Sequence, residues 1–167
     1  EVHAHAHVEH LASHLHALAM SDGETDGHGA EALDPQLLEI FRNEAQVHLA
    51  SLDAFLANAE VYLPAPVSDD LQRALHTLKG SAAMAGVTPV TELATALDLL
   101  AREFKAHQVA FDLDEIYLLQ TAEPLLRRGL EQLASTPLAP IKGAEILIEQ
   151  VDQVVNARLQ SWMEAPE

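Results

Sequence analysis

A chain of 167 residues suits one domain with a real core and is short for two. Hydrophobic residues make up 49% of it but aromatics only 4%, a mix rich in alanine and leucine that favours helices over strands. A formal charge of −17 speaks against nucleic acid or an anionic membrane surface as partner, because phosphates are held by Lys and Arg, and the lack of cysteine removes disulfide and thiolate chemistry.

Residues 1–33 differ in composition from the rest: they hold seven of the ten histidines and no Lys or Arg. The stretch SDGETDGHG reads as a flexible acidic linker, and residues 8–20 before it have the pattern of a short helix, marginal on its own. In HAHAHVEHLASHLH a helix would align His3, His7, His10 and His14, whereas an extended chain would align His3, His5 and His7. Imidazole is a common ligand for zinc, nickel and copper, but neither geometry is singled out. A tag remnant or solvated tract is therefore the expected reading, with adventitious metal binding and no dedicated metal site. Residues 1–33 are expected to add little core, so that their removal leaves the melting temperature nearly unchanged. The start at Glu1 suggests a piece of something longer. No basic leader precedes Arg42 and no apolar run approaches the roughly 20 residues of a membrane span, which fits a cytoplasmic location.

From Asp34 the pattern becomes regular. Asp34-Pro35 is an N-cap followed by proline at the first helical position, and Leu38, Phe41, Ala45, Leu49, Leu52 and Leu56 mark an amphipathic helix to about residue 60. YLPAPVS breaks it. Ser68 caps a second helix with Asp69 and Asp70 in its first turn, a core stripe of Leu71, Leu75, Leu78 and Ala82, and Gly86 as its stop. Thr88-Pro89 starts a third, with Val90, Leu93, Leu97, Leu100 and Phe104 inward. A fourth starts at Asp112 or Asp114, with Leu118, Leu125, Leu126 and Leu133 inward and Pro124 expected to kink or break it. A fifth is expected from about Lys142 to Met163, on a stripe of Ile148, Val151, Val155, Leu159 and Trp162. Short connections between amphipathic helices predict an all-α, antiparallel up-and-down bundle over residues 34–163.

One stretch of the second helix, ALHTLKGSAAMAG, is not explained by packing. Glycine in a helix interior costs about 1 kcal/mol. With Leu75, Leu78 and Ala82 facing the core, His76 lies about 100° off Leu75, beside Gln72, Arg73, Lys79, Gly80 and Ala83. That face is exposed and carries two cations within one turn of the imidazole. A surface histidine beside a surface lysine is ordinary in itself. Neutral imidazole is nonetheless a nitrogen nucleophile near neutral pH, and phosphoryl transfer needs a positioned nucleophile plus cations for the equatorial oxygens. Lys79 can supply that charge from a solvated position, and Gly80 with its small neighbours leaves room for another protein's active site. A bare helix carries no further apparatus, so the partner would have to bring the metal and the acceptor carboxylate.

LHTLKGSAAMAG resembles the signature of histidine phosphotransfer (HPt) domains, in particular those of CheA-like chemosensory kinases. The family's histidine, then x-x-Lys-Gly-Ser and a later glycine, match at His76, Lys79, Gly80, Ser81 and Gly86, and FRNEA resembles the family's Phe-x-x-Glu-Ala opening. The resemblance covers roughly residues 34–135, with the fifth helix fitting the longer CheA-type version. It implies a four-helix core plus one helix, His76 as phosphoacceptor, and partners among response-regulator receiver domains that supply Mg2+. A histidine-kinase catalytic domain is a further implied partner, while no cofactor resides in the domain itself. Gln72, Arg73, Gly80 and Ala83 would form the docking surface. Where CheA-type domains carry a histidine and, three residues on, a glutamate bonded to the phosphorylatable imidazole, this chain has Thr95 and Asp98. Asp98 keeps a carboxylate that is one methylene shorter, and Thr95 cannot relay a proton as histidine does. These departures keep alive a second reading, a scaffold that docks response regulators without being phosphorylated. A metal-binding helical protein, resting on residues 1–16 alone, is the third.

Overall fold

A computed structural model describes residues 33–164. Five helices follow one another: α1 Pro35–Ala59, α2 Asp69–Ala85, α3 Thr88–Ala106, α4 Leu113–Glu131 and α5 Ala144–Glu164, with a single 3-10 turn at Gln132–Ala134 after α4. Among the described residues there is no strand, only one isolated bridge in which Ala65 and Phe111 exchange two backbone hydrogen bonds of 2.8 Å. Apart from Leu33, the expectations for residues 1–33 concern residues outside those described. Leu33 itself is half-buried against the core.

The termini follow from local chemistry. Asp34 accepts the Gln36 amide at 2.9 Å, and Ser68 accepts the Leu71 amide at 3.1 Å. Of the two aspartates that could open α4, Asp112 is the cap, in a reciprocal box with Glu115 whose Oε1 accepts the Asp112 amide at 2.8 Å. Helix α2 ends where Gly86 turns into the left-handed region at φ 77°. A β-carbon there would also stand 3.0 Å from Leu33 Cδ2. Gly86→Ala is therefore expected to cost about 1–2 kcal/mol from the left-handed backbone alone, read as a lower urea midpoint at unchanged slope.

Helices α1 to α4 pack as a ring: α1 on α2, α2 on α3, α3 on α4, and α4 back on α1, while α5 covers α3 and α4 from outside. This is the antiparallel bundle with an extra C-terminal helix that the periodicity predicts. The core holds Phe41, Phe104, Phe111 and the expected leucines of α1 to α4 except Leu56, which is half-buried, while Leu133 is buried from the 3-10 turn rather than from α4. Arg127 on α4 bonds Asp53 on α1 at 2.6 Å and also Glu123. Partial burial works against its charge, but those two carboxylates outweigh it and hold the guanidinium above its ordinary pKa.

Two expectations are corrected. Pro124 does not end its helix, for α4 runs as one helix from Leu113 to Glu131 with the proline inside it. The proline is exposed and so is Gln120, whose carbonyl is the one deprived of a donor, so water can take the place of the missing amide. Helix α5 begins at Ala144 rather than Lys142, after Gly143 at φ 93°, and Leu147 rather than Ile148 is its deepest early contact. Val151 and Val155 are buried as expected, while Leu159 and Trp162 are half-buried. Trp162 closes the end of α5 with its ring 5.4 Å from Phe104 and stacked on His107 at 4.3 Å.

Candidate functional site

Helices α2 and α3 are joined by only Gly86 and Val87, which forces them antiparallel. Their register is fixed by two cross-helix contacts: Asp69 pairs with Lys105, and His76 faces Asp98. A side chain on α2 is thus matched with one running the opposite way on α3, and Lys79 and Arg102 end up on opposite sides of the His76–Asp98 pair.

The imidazole of His76 is 70% exposed, whereas the Asp98 side chain is 2% exposed. Nδ1 of His76 lies 3.5 Å from Asp98 Oδ2, a long contact. Lys79 Nζ approaches the same oxygen at 3.6 Å and Arg102 Nη1 at 4.0 Å. One buried carboxylate oxygen is therefore shared by three nitrogens, while Asp98 Oδ1 is buried with no hydrogen-bond partner among the described residues. A buried carboxylate in this condition favours a hydrogen on any nitrogen facing it, because an acceptor left unsatisfied costs about 1–3 kcal/mol. The imidazole's other nitrogen, Nε2, is left as the one away from Asp98.

The remaining expected site residues are accounted for as follows. Gln72 and Arg73 line a shallow hollow of about 290 Å³ together with Asp69, His76, Asp98 and Arg102. Ala83 is exposed, and a β-carbon on Gly80 would meet nothing within 4 Å. Lys79 departs from the expectation of a solvated ammonium: it is only 34% exposed and is drawn towards Asp98. Thr95 takes no part at His76, because it sits one turn before Asp98 and its hydroxyl donates to the Thr91 carbonyl at 2.6 Å. Among the described residues no group of three His, Asp or Glu side chains is placed to hold a metal ion, and no helix is long and apolar enough to cross a membrane.

Two features escape sequence reasoning. Arg102 carries no signal until α3 is laid against α2, although its place four residues after Asp98 puts it on the same helix face. The other is a polar link inside the bundle. Ser81 Oγ donates to Glu44 Oε1 at 2.8 Å, and His48 Nε2 lies 3.3 Å from the same oxygen. All three side chains are buried. The link ties α1 to the helix that presents His76, one position beyond Gly80. Its signal was a glutamate set between Phe41 and Ala45 on an otherwise apolar stripe.

A family model described as Hpt domain matches residues 36–136. The chain belongs to the Hpt domain family. No curated protein and no solved structure matches it. As an Hpt domain it has a histidine phosphotransfer role in a phosphorelay, and domains of this family interact with response-regulator receivers. The matched span runs from the second residue of α1 through α4 and the 3-10 turn, and α5 lies beyond it.

Proposed function

We propose that His76 is the phosphoacceptor of this Hpt domain and that it exchanges its phosphoryl group with an aspartate of a receiver domain. The observation that carries this reading is an exposed imidazole whose Nδ1 faces a buried carboxylate at 3.5 Å. The Nε2 lone pair attacks phosphorus, the P–O bond of the receiver's aspartyl phosphate breaks, and the carboxylate leaves. Return transfer reverses each step. Nδ1 keeps its hydrogen throughout, so the N-phosphorylated ring is positively charged and Asp98 stabilises it. Lys79 contributes charge to the phosphoryl oxygens, while Gln72, Arg73, Gly80 and Ala83 form the docking surface. The receiver supplies Mg2+. We further propose, from the resemblance of LHTLKGSAAMAG to CheA-like sequences alone, that the domain is one module of a larger cytoplasmic chemosensory protein, with a kinase catalytic domain as a second donor.

Incubation with a phosphorylated receiver domain, followed by intact mass in neutral buffer, tests this. One added phosphate, acid-labile and base-stable, is expected. Its absence would favour a docking scaffold, a reading that the diverted Thr95 hydroxyl supports. Asp98→Ala should slow transfer without eliminating it, roughly tenfold for one lost charge-assisted contact. Asp98→Glu should match or exceed the starting rate, because 3.5 Å leaves slack that a longer carboxylate can close. Single-turnover quench-flow of both variants provides the check.

A further inference from the structure

Nine lysines and arginines serve a chain of net charge −17, and four of them, Arg73, Lys79, Arg102 and Lys105, stand on the α2–α3 face around His76. Their partners separate them. Lys105 is held by Asp69 at the far rim, and Arg73 has the exposed Asp70 at 3.9 Å. Arg102 has one ion-pair partner within 4.0 Å among the described residues, Asp98, at the limit of that distance, and its side chain is 49% exposed. It lines the same hollow as His76, on the side away from Lys79.

We propose that Arg102 is a second phosphoryl-binding cation of the His76 site, resting on Asp98 while the imidazole is bare and turning its guanidinium onto the phosphoryl oxygens once Nε2 carries them. The inference rests on the reading of His76 as phosphoacceptor. Its physical basis is a competition for one oxygen. Asp98 Oδ2 cannot satisfy His76, Lys79 and Arg102 together at 3.5, 3.6 and 4.0 Å, and none of these contacts is tight. Phosphorylation at Nε2 adds a dianionic group and makes the ring cationic. Asp98 is then occupied by the ring, and the two side cations have a stronger anion beside them. A guanidinium presents a planar fork that matches two phosphoryl oxygens, which an ammonium cannot do. Lys79 and Arg102 would hold the group from opposite sides along the helix pair.

The test uses the full chain and phosphoramidate, a small donor that removes any role of receiver docking. Nε2 attacks phosphorus, the P–N bond of the donor breaks, and ammonia leaves. Uptake is followed by intact mass and the product by 31P NMR. Arg102→Ala and Arg102→Gln should each slow uptake or shorten phosphohistidine lifetime by about tenfold, the scale of one charge-assisted contact, and should move the phosphohistidine 31P resonance. Arg102→Lys should recover only part of the rate, since it restores the charge without the two-pronged fork. The defect should persist when Arg102→Ala is made in an Asp98→Asn background. Loss of the defect there would mean that Arg102 acts only by orienting Asp98, and would overturn the proposal. So would wild-type uptake, lifetime and resonance in Arg102→Ala, with the assignment of His76 left standing. No phosphate on the unmodified protein, or phosphate retained by His76→Gln, would instead bring down the reading beneath the proposal.

Discussion

His76→Gln is expected to take up no phosphate from a phosphorylated receiver domain and to keep its fold. The effect is expected to be total because the substituted amide has no nucleophilic lone pair on nitrogen, so no slower version of the same step remains. The fold should survive because the imidazole is 70% exposed and makes a single long contact, to Asp98. Glutamine is also a good helix former in the middle of α2. Its amide can still donate to the buried carboxylate, which limits the cost of leaving Asp98 with fewer partners. Intact mass after incubation reads the first half of the expectation, and helical circular dichroism with the urea midpoint reads the second. Residual phosphate on the variant would move the acceptor to another of the ten histidines. His48 is an unfavourable substitute, being buried against Glu44.

Phe104→Ala should be the most destabilising single change, at about 3–5 kcal/mol. Phe104 is fully buried at the point where three elements meet. Its ring lies 5.1 Å from Phe111, which the Ala65 bridge anchors, and 5.4 Å from Trp162 at the end of α5. Arg158 sits over the same ring at 6.0 Å. Truncation would leave a cavity bounded by aromatic planes, which cannot collapse into it as aliphatic chains do. Trp162 is the only tryptophan, so its fluorescence reports this corner directly. Urea unfolding followed by fluorescence and by circular dichroism should show the loss in both signals, with Phe104→Leu recovering most of it. A loss below 1 kcal/mol would mean that α5 contributes little to the core.

The bundle was legible because its signals are local. Caps such as Asp34, Ser68 and Asp112 and the stop at Gly86 act within one turn, and leucines at spacings of three and four define each buried stripe without knowledge of the neighbour. Pro124 shows where that logic ends, since its cost depends on whether the orphaned carbonyl meets water, and that is decided by the packing of α4. The site was legible in part. His76, Lys79 and Gly80 stood out within one helix, while Asp98 was found through resemblance rather than periodicity, where it would pass for an ordinary charge beside Leu97. Its burial, and the gathering of Lys79 and Arg102 on it, depend on the register between α2 and α3. The two-residue connection makes the helices antiparallel and cross-helix contacts such as Asp69–Lys105 fix the register, and no spacing within either helix encodes it. Glu44 is the same case at the α1–α2 seam, a carboxylate whose partner lies 37 positions away at Ser81.

The empty space beside Gly80 bears on how this surface could be altered. A methyl group there meets nothing within 4 Å, so alanine would raise helix propensity by about 1 kcal/mol without any clash inside the bundle. A search for thermostable variants would therefore select Gly80→Ala early, and every assay of the isolated domain would score it as an improvement. In the transfer reading the same methyl would occupy the clearance that an incoming active site needs. Optimising the domain alone would then erase the imprint of its partner, so melting temperature and transfer rate should be ranked separately at this position.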